Sequence, residues 1–588
     1  MGYGAQAKRV PAKGQGIVVD ADVFKLGIVG KFKRGLASVQ TGLYSMDDVR
    51  KVCGNATTSS NAWLVLRALY QHLRPGVTVE SKILMHVAND AVQAGYAIND
   101  GATTKVFDFK AGAKGEVDKS AGGNDIAIKI SQSESVTFKL TADTDEAPTV
   151  AYLDQINNLE VGYQVKFADG TNTEYAFITA IDAVTKKITF AALTNDYTAA
   201  LTTVSRCDWN LFIAVKDDYG SYQQQESYLD IPYVKSSTKG MIPLVNNAVS
   251  GSFYGILTLN DANSTTGANA RPAALASWTP LTGGSNGTAA NDASWNSLVA
   301  GLADEHIQIL LAPESSSPTH NNNMATFTTS GYKALYFGQA SNGATEDVLK
   351  NLGGICSEPI KFGMLPIDKW FETDDPTKDG GKIQIPPVGH AAAHWFNNYS
   401  VYGASKVAAG NRDALVTSDR LLDSNGLIHD DVNGKGDRLI RKYRINIARY
   451  RQGKGITINS ARTWSTDTGY QFQNQIMQWL LYKVSILDYL RSIEQDKAGV
   501  RAQEDHYNAI WSYMIKKYDA GEFFQGQRED GTPTEFQDVV QIVNDFTVNT
   551  LADIANGIEN NFVQFIAPPP IEEPILSLAS APVTMVKG

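Results

Sequence analysis

The chain has little cysteine. Three occur in 588 residues, Cys53, Cys207 and Cys356, far apart and without a C-x-x-C spacing. That argues against a disulfide scaffold and fits assembly inside a cell. No apolar run reaches the ~18 residues that a bilayer span needs, so no membrane insertion is expected. Positive charge is also short: the net charge is -10, which excludes binding to nucleic acid or acidic membranes by bulk electrostatics. The opening "MGYGAQAKRVPAKG" lacks the apolar core of a secretory signal. It resembles a myristoylation site, but Gln6 stands where Ser or Thr is needed. The expectation is a chain that is soluble, or that assembles from a soluble form.

What is present suits a large globular protein. Apolar residues make up 43% of the chain, ample for packed cores, and 50 glycines imply many turns. The length suggests about three to five domains. Residues 1–24 read as an arm, with one β-branched run, Ile17, Val18 and Val19, behind a Gly/Lys/Pro-rich lead. Residues 25–98 read as the first part of an α/β domain. "KLGIVGKF" and "SKILMHVA" are strands, Ser45 caps a helix that stops at Gly54, and "SSNAWLVLRALYQHLRPG" is a helix.

Residues 99–206 change character. Runs such as "SVTFKLTAD" and "YQVKFADGTNTEYAFITAID" alternate, and Asp169-Gly170 between two of them signals a hairpin. The segment reads as an inserted all-β domain, a sandwich or small barrel. "CDWNLFIAVKDDYGSYQQQESYLDIP" reads as a hairpin that resumes the interrupted sheet. Residues 207–430 return to α/β order, with "SWNSLVAGLADEH" and "ATEDVLKNLGG" as helices around the strand "IQILLAP". Residues 431–570 read as an inner α+β domain. It holds a strand pair around "YRINIARYRQGKGITINSART" and a long helix with Phe472, Ile476, Trp479, Leu480, Val484, Leu487 and Leu490 on one stripe. A second helix and the strands "FQDVVQIVND" and "NNFVQFIAP" follow. Residues 571–588 form a C-terminal arm. The fold class is therefore α/β and multidomain, with an inserted all-β domain and two extended arms.

The order of these signals resembles the contractile tail sheath proteins of bacteriophages and related injection machines. The resemblance rests on "FKLGIVGKFKRGLASVQTGLYSMDDVRKVCG", "QIPPVGHAAAHWFNNYSVYGASKVAAGN", "GKGITINSARTWSTDTGYQFQNQIMQWLLYKV", "DAGEFFQG" and "NTLADIANGIENNFVQFIAPPPIEEPILSL". No one of them is specific, whereas five in the right order are. The insertion carries no motif of that family.

The resemblance implies that terminal arms add strands to the inner domains of neighbouring copies, with backbone hydrogen bonds for adhesion and alternate side chains for register. The implied arm contacts are Ile17, Val18, Val19, Ile575, Leu576, Leu578, Val583 and Met585. Pro568, Pro569, Pro570 and Pro574 would act as the spacer, extended at ~3.1 Å per residue. One arm alone is nearly balanced. About 5 hydrogen bonds at ~1 kcal/mol each and three side chains at roughly 1.5–3 kcal/mol each face the ordering of about eight residues at ~1–2 kcal/mol each. Several arms together hold, because later contacts become intramolecular.

The resemblance further implies a homo-oligomer, a helical stack of sixfold rings around an inner tail tube protein, with baseplate and tail terminator partners. Its place would be the virion tail sheath, after assembly in host cytoplasm. Contraction would drive the tube through the host envelope for genome delivery. A phage-like bacteriocin or secretion machine is the near alternative, and a secreted β-rich surface or adhesin protein the remote one.

The segment 437–454 carries seven basic residues, Arg438, Arg441, Lys442, Arg444, Arg449, Arg451 and Lys454, and one acid. Residues 519–573 carry eleven acids and one Arg. Opposite patches in one domain suit head-to-tail association. The basic stretch also reads as a solvated strand face or a nucleic-acid site, although its aromatic interleaving is slight. No catalytic residue, cofactor or metal is expected. "GGSNG" around Ser285 fits G-x-S-x-G, but no strand is read directly before it and a loop follows, so it is no nucleophile elbow. His390 and His394 are four apart without the Glu of a zinc-protease motif and read as packing on a small-residue helix.

Overall fold

The computed structural model describes residues 24–100, 104–145, 147–260, 271–331, 333–356, 358–410, 414–422, 435–451, 453–492, 500–528, 530, 532–545, 547–550 and 560–568. The architecture is mixed α/β with several sheets. Its centre is a six-stranded sheet ordered Gln40–Leu43, Val79–Met85, Phe24–Gly30, Ile309–Leu311, Leu335–Phe337 and Gly363–Met364. All pairings are parallel except that of the edge strand Gln40–Leu43. Parallel strands are covered on both faces, which is why FKLGIVG and ILL read as continuous apolar runs. Alternation sorts them. Leu26 and Ile28 join one core, with the helices Asn61–His72 and Val388–Tyr402. Val29 and Leu310 join another, with Trp295, Met324 and Leu349.

Glycine sets the closest helix approach. A β-carbon on Gly389 would lie 2.3 Å from the Val65 carbonyl oxygen and 3.2 Å from Ala68 Cβ. The small residues Gly389, Ala391, Ala392 and Ala393 therefore let Val388–Tyr402 lie directly on Asn61–His72. The second helix starts at Ser60, whose hydroxyl accepts from Trp63 N.

The β-rich part is larger than the alternation alone suggested. One six-stranded antiparallel sheet runs Thr137–Lys139, Thr203–Arg206, Gln164–Ala168, Thr173–Asp182, Lys187–Phe190 and Val150–Tyr152. Its Asp169-Gly170 turn has Gly170 at φ +88° and Asp169 accepting from Thr171 N and Asn172 N. The hairpin Asp208–Lys216 and Tyr222–Pro232 does not resume the parallel sheet. It pairs with Ile126–Ser133, beside Leu275–Pro280. The reason lies in its outer strand, which has no fully buried residue and suits an antiparallel edge rather than a strand covered on both faces.

The basic stretch is a helix and a hairpin rather than one strand face. Lys435–Tyr443 is helical, and Ala448–Arg451 pairs with Gly455–Ile458. Leu439, Ile445 and Ile447 pack into the core beneath the parallel sheet. The helix Gln473–Ser492 joins two cores: Ile476, Met477 and Leu480 pack with the α/β lobe, whereas Tyr482 and Ile486 build a separate core with Val500–Asp519 and the antiparallel pair Val540–Val543 and Phe562–Phe565. No helix among the described residues is long and apolar enough to cross a membrane.

Candidate functional site

The sequence of the Gln473–Ser492 helix begins with a run of amides, and the structure buries them. Gln473, Asn474, Gln475 and Gln478 are all nearly inaccessible. Buried amides need partners, and the NH2 donors of Asn474, Gln475 and Gln478 find loops, while Asn474 Oδ1 and Gln478 Oε1 have no hydrogen-bond partner among the described residues. Gln473 Oε1 accepts from Ala408 N at 3.2 Å. Gln475 Nε2 donates to the Thr468 carbonyl at 3.0 Å, and its Oε1 accepts from Phe472 N at 3.0 Å. Gln478 Nε2 donates to the Glu522 carbonyl. Asn474 Nδ2 donates to the Ser405 carbonyl at 2.9 Å and to the Pro568 carbonyl at 2.7 Å. Asn474 thus fixes where the chain leaves its last described strand.

That strand belongs to a two-stranded ladder in which Val540 faces Phe565 and Val543 faces Phe562. Neither outer edge has a strand partner among the described residues. Ile566 O accepts from Phe524 N at 3.0 Å, and Ile566 N donates to Val539 O at 2.9 Å. The inner face is anchored: Phe565 lies edge-on to Tyr482 and tilted against Phe523. Tyr482 donates its phenol proton to Glu522, and burial first, then the Glu522 charge, pushes its pKa up. Lys517 Nζ closes the group at 2.8 Å from Glu522 Oε1. The outer side stays open, with Phe562 47% and Ile566 49% exposed. An exposed strand edge of this kind can accept a further strand.

Of the residues expected in the arms, Pro568 lies at this exit. Ile17, Val18, Val19, Pro569, Pro570, Pro574, Ile575, Leu576, Leu578, Val583 and Met585 lie outside the described residues. Asn474 was not expected; its signal is an amide run at the start of a helix whose flank reads as core.

The seven basic residues do not form one field of free charge. Arg441, Lys442 and Lys454 are exposed, Arg444, Arg449 and Arg451 are half-buried, and the Arg438 side chain lies outside the described residues. Arg449 Nε donates to Asn459 Oδ1 at 2.7 Å. The acidic stretch has its own cation, Arg528, paired with Asp538 at 2.7 Å and Glu535 at 3.3 Å. The two patches sit on different cores, the basic one under the parallel sheet and the acidic one around the helical pair.

The Ser285 motif resolves against catalysis. A strand, Leu275–Pro280, does precede it, because its pairing with Ile126–Ser133 is non-local and its WTP sequence hid it. Ser285 itself exchanges backbone hydrogen bonds with Val92, and the next helix starts only at Asp292. The cysteines are equally poor nucleophiles: burial pushes the Cys207 and Cys356 thiols up to about 12. Among the described residues one ligand-like group joins His390 to His72 and Asp419. His390 Nε2 lies 2.8 Å from Asp419 Oδ2, and burial lowers its pKa to about 4, so the ring is neutral at pH 7.

Neither a protein-family model nor a curated protein matches the chain. Several solved structures are similar. A sheath complex of an extracellular contractile injection system (PVC), in the contracted state, is 17% identical with a TM-score of 0.39 and covers 50% of this chain and 75% of its own. The contracted helical sheath of the anti-feeding prophage is 14% identical with a TM-score of 0.36, over 49% of this chain and 74% of its own. A sheath tail protein from Desulfitobacterium hafniense is 11% identical with a TM-score of 0.44, over 92% of this chain and 94% of its own. These three similar structures are thus two sheath assemblies of contractile injection systems and a sheath tail protein.

Proposed function

We propose that the chain is a tail sheath subunit, a structural polymer that assembles around an inner tube and contracts to drive that tube through a host envelope for genome delivery. The observation that carries the reading is the ladder Val540–Val543 and Phe562–Phe565, without a strand partner at either outer edge among the described residues and set beside Pro568, the last described residue. The five ordered sequence segments support it, since two of them supply the exit: one holds Asn474 and another holds Phe562–Phe565 and Pro568. In this reading residues 1–24 and 571–588 of one copy complete the inner sheet of its neighbours, and the inserted β region around 99–206 faces outward. The partners are further copies in a helical stack of rings, the inner tube protein, and baseplate and terminator proteins. Nothing in the scheme requires a catalytic step: the free energy is stored when subunits assemble in an extended lattice.

Electron microscopy of the purified full-length protein, grown with and without a tube nucleus, tests the proposal. Striated helical cylinders that shorten and widen are expected. Particles that stay monomeric with the tube present, or that form flat sheets, would refute it. Capsid genes beside the coding gene would separate a virus from a phage-like particle.

A further inference from the structure

We infer that His72, His390 and Asp419 form a binding site for a divalent transition-metal ion of the zinc type. The three donors come from distant parts of the chain: the last turn of the Asn61–His72 helix, the start of Val388–Tyr402, and the segment entering the strand Arg420–Leu421. His72 Nε2, His390 Nε2 and the Asp419 carboxylate lie within 4.8 Å of one another.

Their spacing suits a shared ion. Asp419 Oδ2 is 2.8 Å from His390 Nε2 and 3.8 Å from His72 Nε2. Two ligands at about 2.0–2.1 Å from a tetrahedral ion stand roughly 3.3 Å apart, between those two values. The set of two imidazoles and one carboxylate suits zinc and its neighbours, whereas calcium and magnesium require mostly oxygen.

The surroundings orient the ligands. His72 Nδ1 lies 2.6 Å from the Ala68 carbonyl. That contact places the ring proton on Nδ1 and leaves a lone pair on Nε2, the arrangement of a metal-ligating histidine. Thr373 hydrogen-bonds Asp419 through its side chain. Phe371 stacks on the His390 ring at 4.0 Å, and the two imidazoles lie 4.7 Å apart, so packing holds both rings in place. Thr417 Oγ1, 3.0 Å from His72 Nε2, marks the fourth position, open to its hydroxyl or to a water. The weak point is His390 Nδ1, buried without a hydrogen-bond partner. A missing outer partner costs ~10–100-fold in affinity, so the site is weaker than a fully supported one. The ion would tie two helices and the 417–421 segment, a staple rather than a catalyst.

The alternative is a metal-free network in which Thr417 donates to His72 and His390 donates to Asp419. Full-length protein treated with chelator and dialysed against zinc chloride separates the two. One retained equivalent of zinc and an upward shift of the unfolding midpoint are expected, both lost in His72→Gln and in Asp419→Asn and both kept in His306→Gln. Cobalt(II) added to the unaltered protein should give visible absorption bands of a four-coordinate N/O site, a result independent of how the variants fold. No retained zinc, no cobalt bands, or equal retention by His72→Gln would overturn the site.

Discussion

The Arg34 guanidinium and the Asp118 carboxylate form an ion pair, Nε to Oδ2 at 2.8 Å, with 4% and 0% of their side chains exposed. The pair is fully furnished. Asp118 Oδ1 also accepts from Gly35 N at 2.8 Å and from Ser120 Oγ at 2.7 Å. Arg34 donates to the carbonyls of Lys51, Phe253 and Gly112 at 2.9, 2.6 and 2.8 Å. Lys51 belongs to the helix Met46–Cys53 beside the parallel sheet, and Gly112 to a β-strand, Lys105–Ala113, of the neighbouring lobe. One side chain therefore fastens the α/β lobe to the β lobe.

Breaking that pair from one side leaves a buried charge without compensation. Asp118→Ala is expected to destabilise the protein by about 3–5 kcal/mol, seen as a lower denaturant midpoint. Asp118→Asn keeps the acceptor for Gly35 and should cost less. Equal stability of Asp118→Ala and the unaltered protein would mean the junction is wet.

Trp464 tests packing. It is fully buried, and its ring occupies the space above two glycines. A β-carbon on Gly363 would lie 2.5 Å from the ring and 2.8 Å from Ala325 Cβ, and one on Gly338 would lie 2.6 Å from the ring. Gly363→Ala is expected to cost ~1–3 kcal/mol by overpacking. Gly343→Ala is the control: its φ is +65° but no atom lies within 4 Å, so its penalty is backbone strain alone. Thermal melts of the two variants rank the effects.

Much of the α/β lobe was legible because its signals are local. Ser45 at one end and Gly54 at the other announce a capped helix, and Asp169-Gly170 between alternating runs announces a hairpin. Other features escaped for physical reasons. The helix Pro318–Thr329 is too polar to show a stripe, because Asn321 and Thr328 are buried through hydrogen bonds rather than by being apolar. Its cues are Ser317 as cap and Pro318 in the first turn. The partner of the 208–232 hairpin is set by pairing across the chain, which no local pattern encodes. The His72 group is more remote still: Thr417 and His72 are 345 residues apart. At the chain exit the ladder strands were readable, whereas Asn474 looked like one more polar residue on a helix.

Glu314 gives a pH signature. Its Oε1 accepts from Ala62 N at 3.0 Å and from Lys31 N at 3.2 Å, at the start of the Asn61–His72 helix. Burial raises its pKa from the ordinary 4.5, opposed by those backbone donors. A carboxyl with a folded pKa above its unfolded value binds more protons folded than unfolded, so its contribution to stability falls as pH rises between the two. Glu314→Gln keeps the acceptor and removes the charge. The variant should gain on the unaltered protein as pH rises above 4.5, and the gain should level off above the folded pKa. A pH-independent difference in denaturant midpoints would remove the argument.

The chain exit separates folding from assembly. Every described side chain of the core beneath the Val540–Val543 and Phe562–Phe565 ladder lies before residue 566. Removing residues 569–588 leaves all of those side chains in place, and if the removed residues serve only a neighbouring copy the unfolding midpoint of the monomer should not move. If those residues complete a neighbour's ladder, the truncated chain should nevertheless form no cylinders around the tube. Asn474→Ala tests the same exit without shortening the chain. It removes the donor to two half-buried carbonyls, those of Ser405 and Pro568, each able to turn to water, so the loss stays at about 0.5–1.5 kcal/mol per hydrogen bond, and it frees the chain direction at Pro568. Assembly should slow while sedimentation still finds a folded monomer. Cylinders of normal length from the truncated chain would show that adhesion between copies resides elsewhere on the surface.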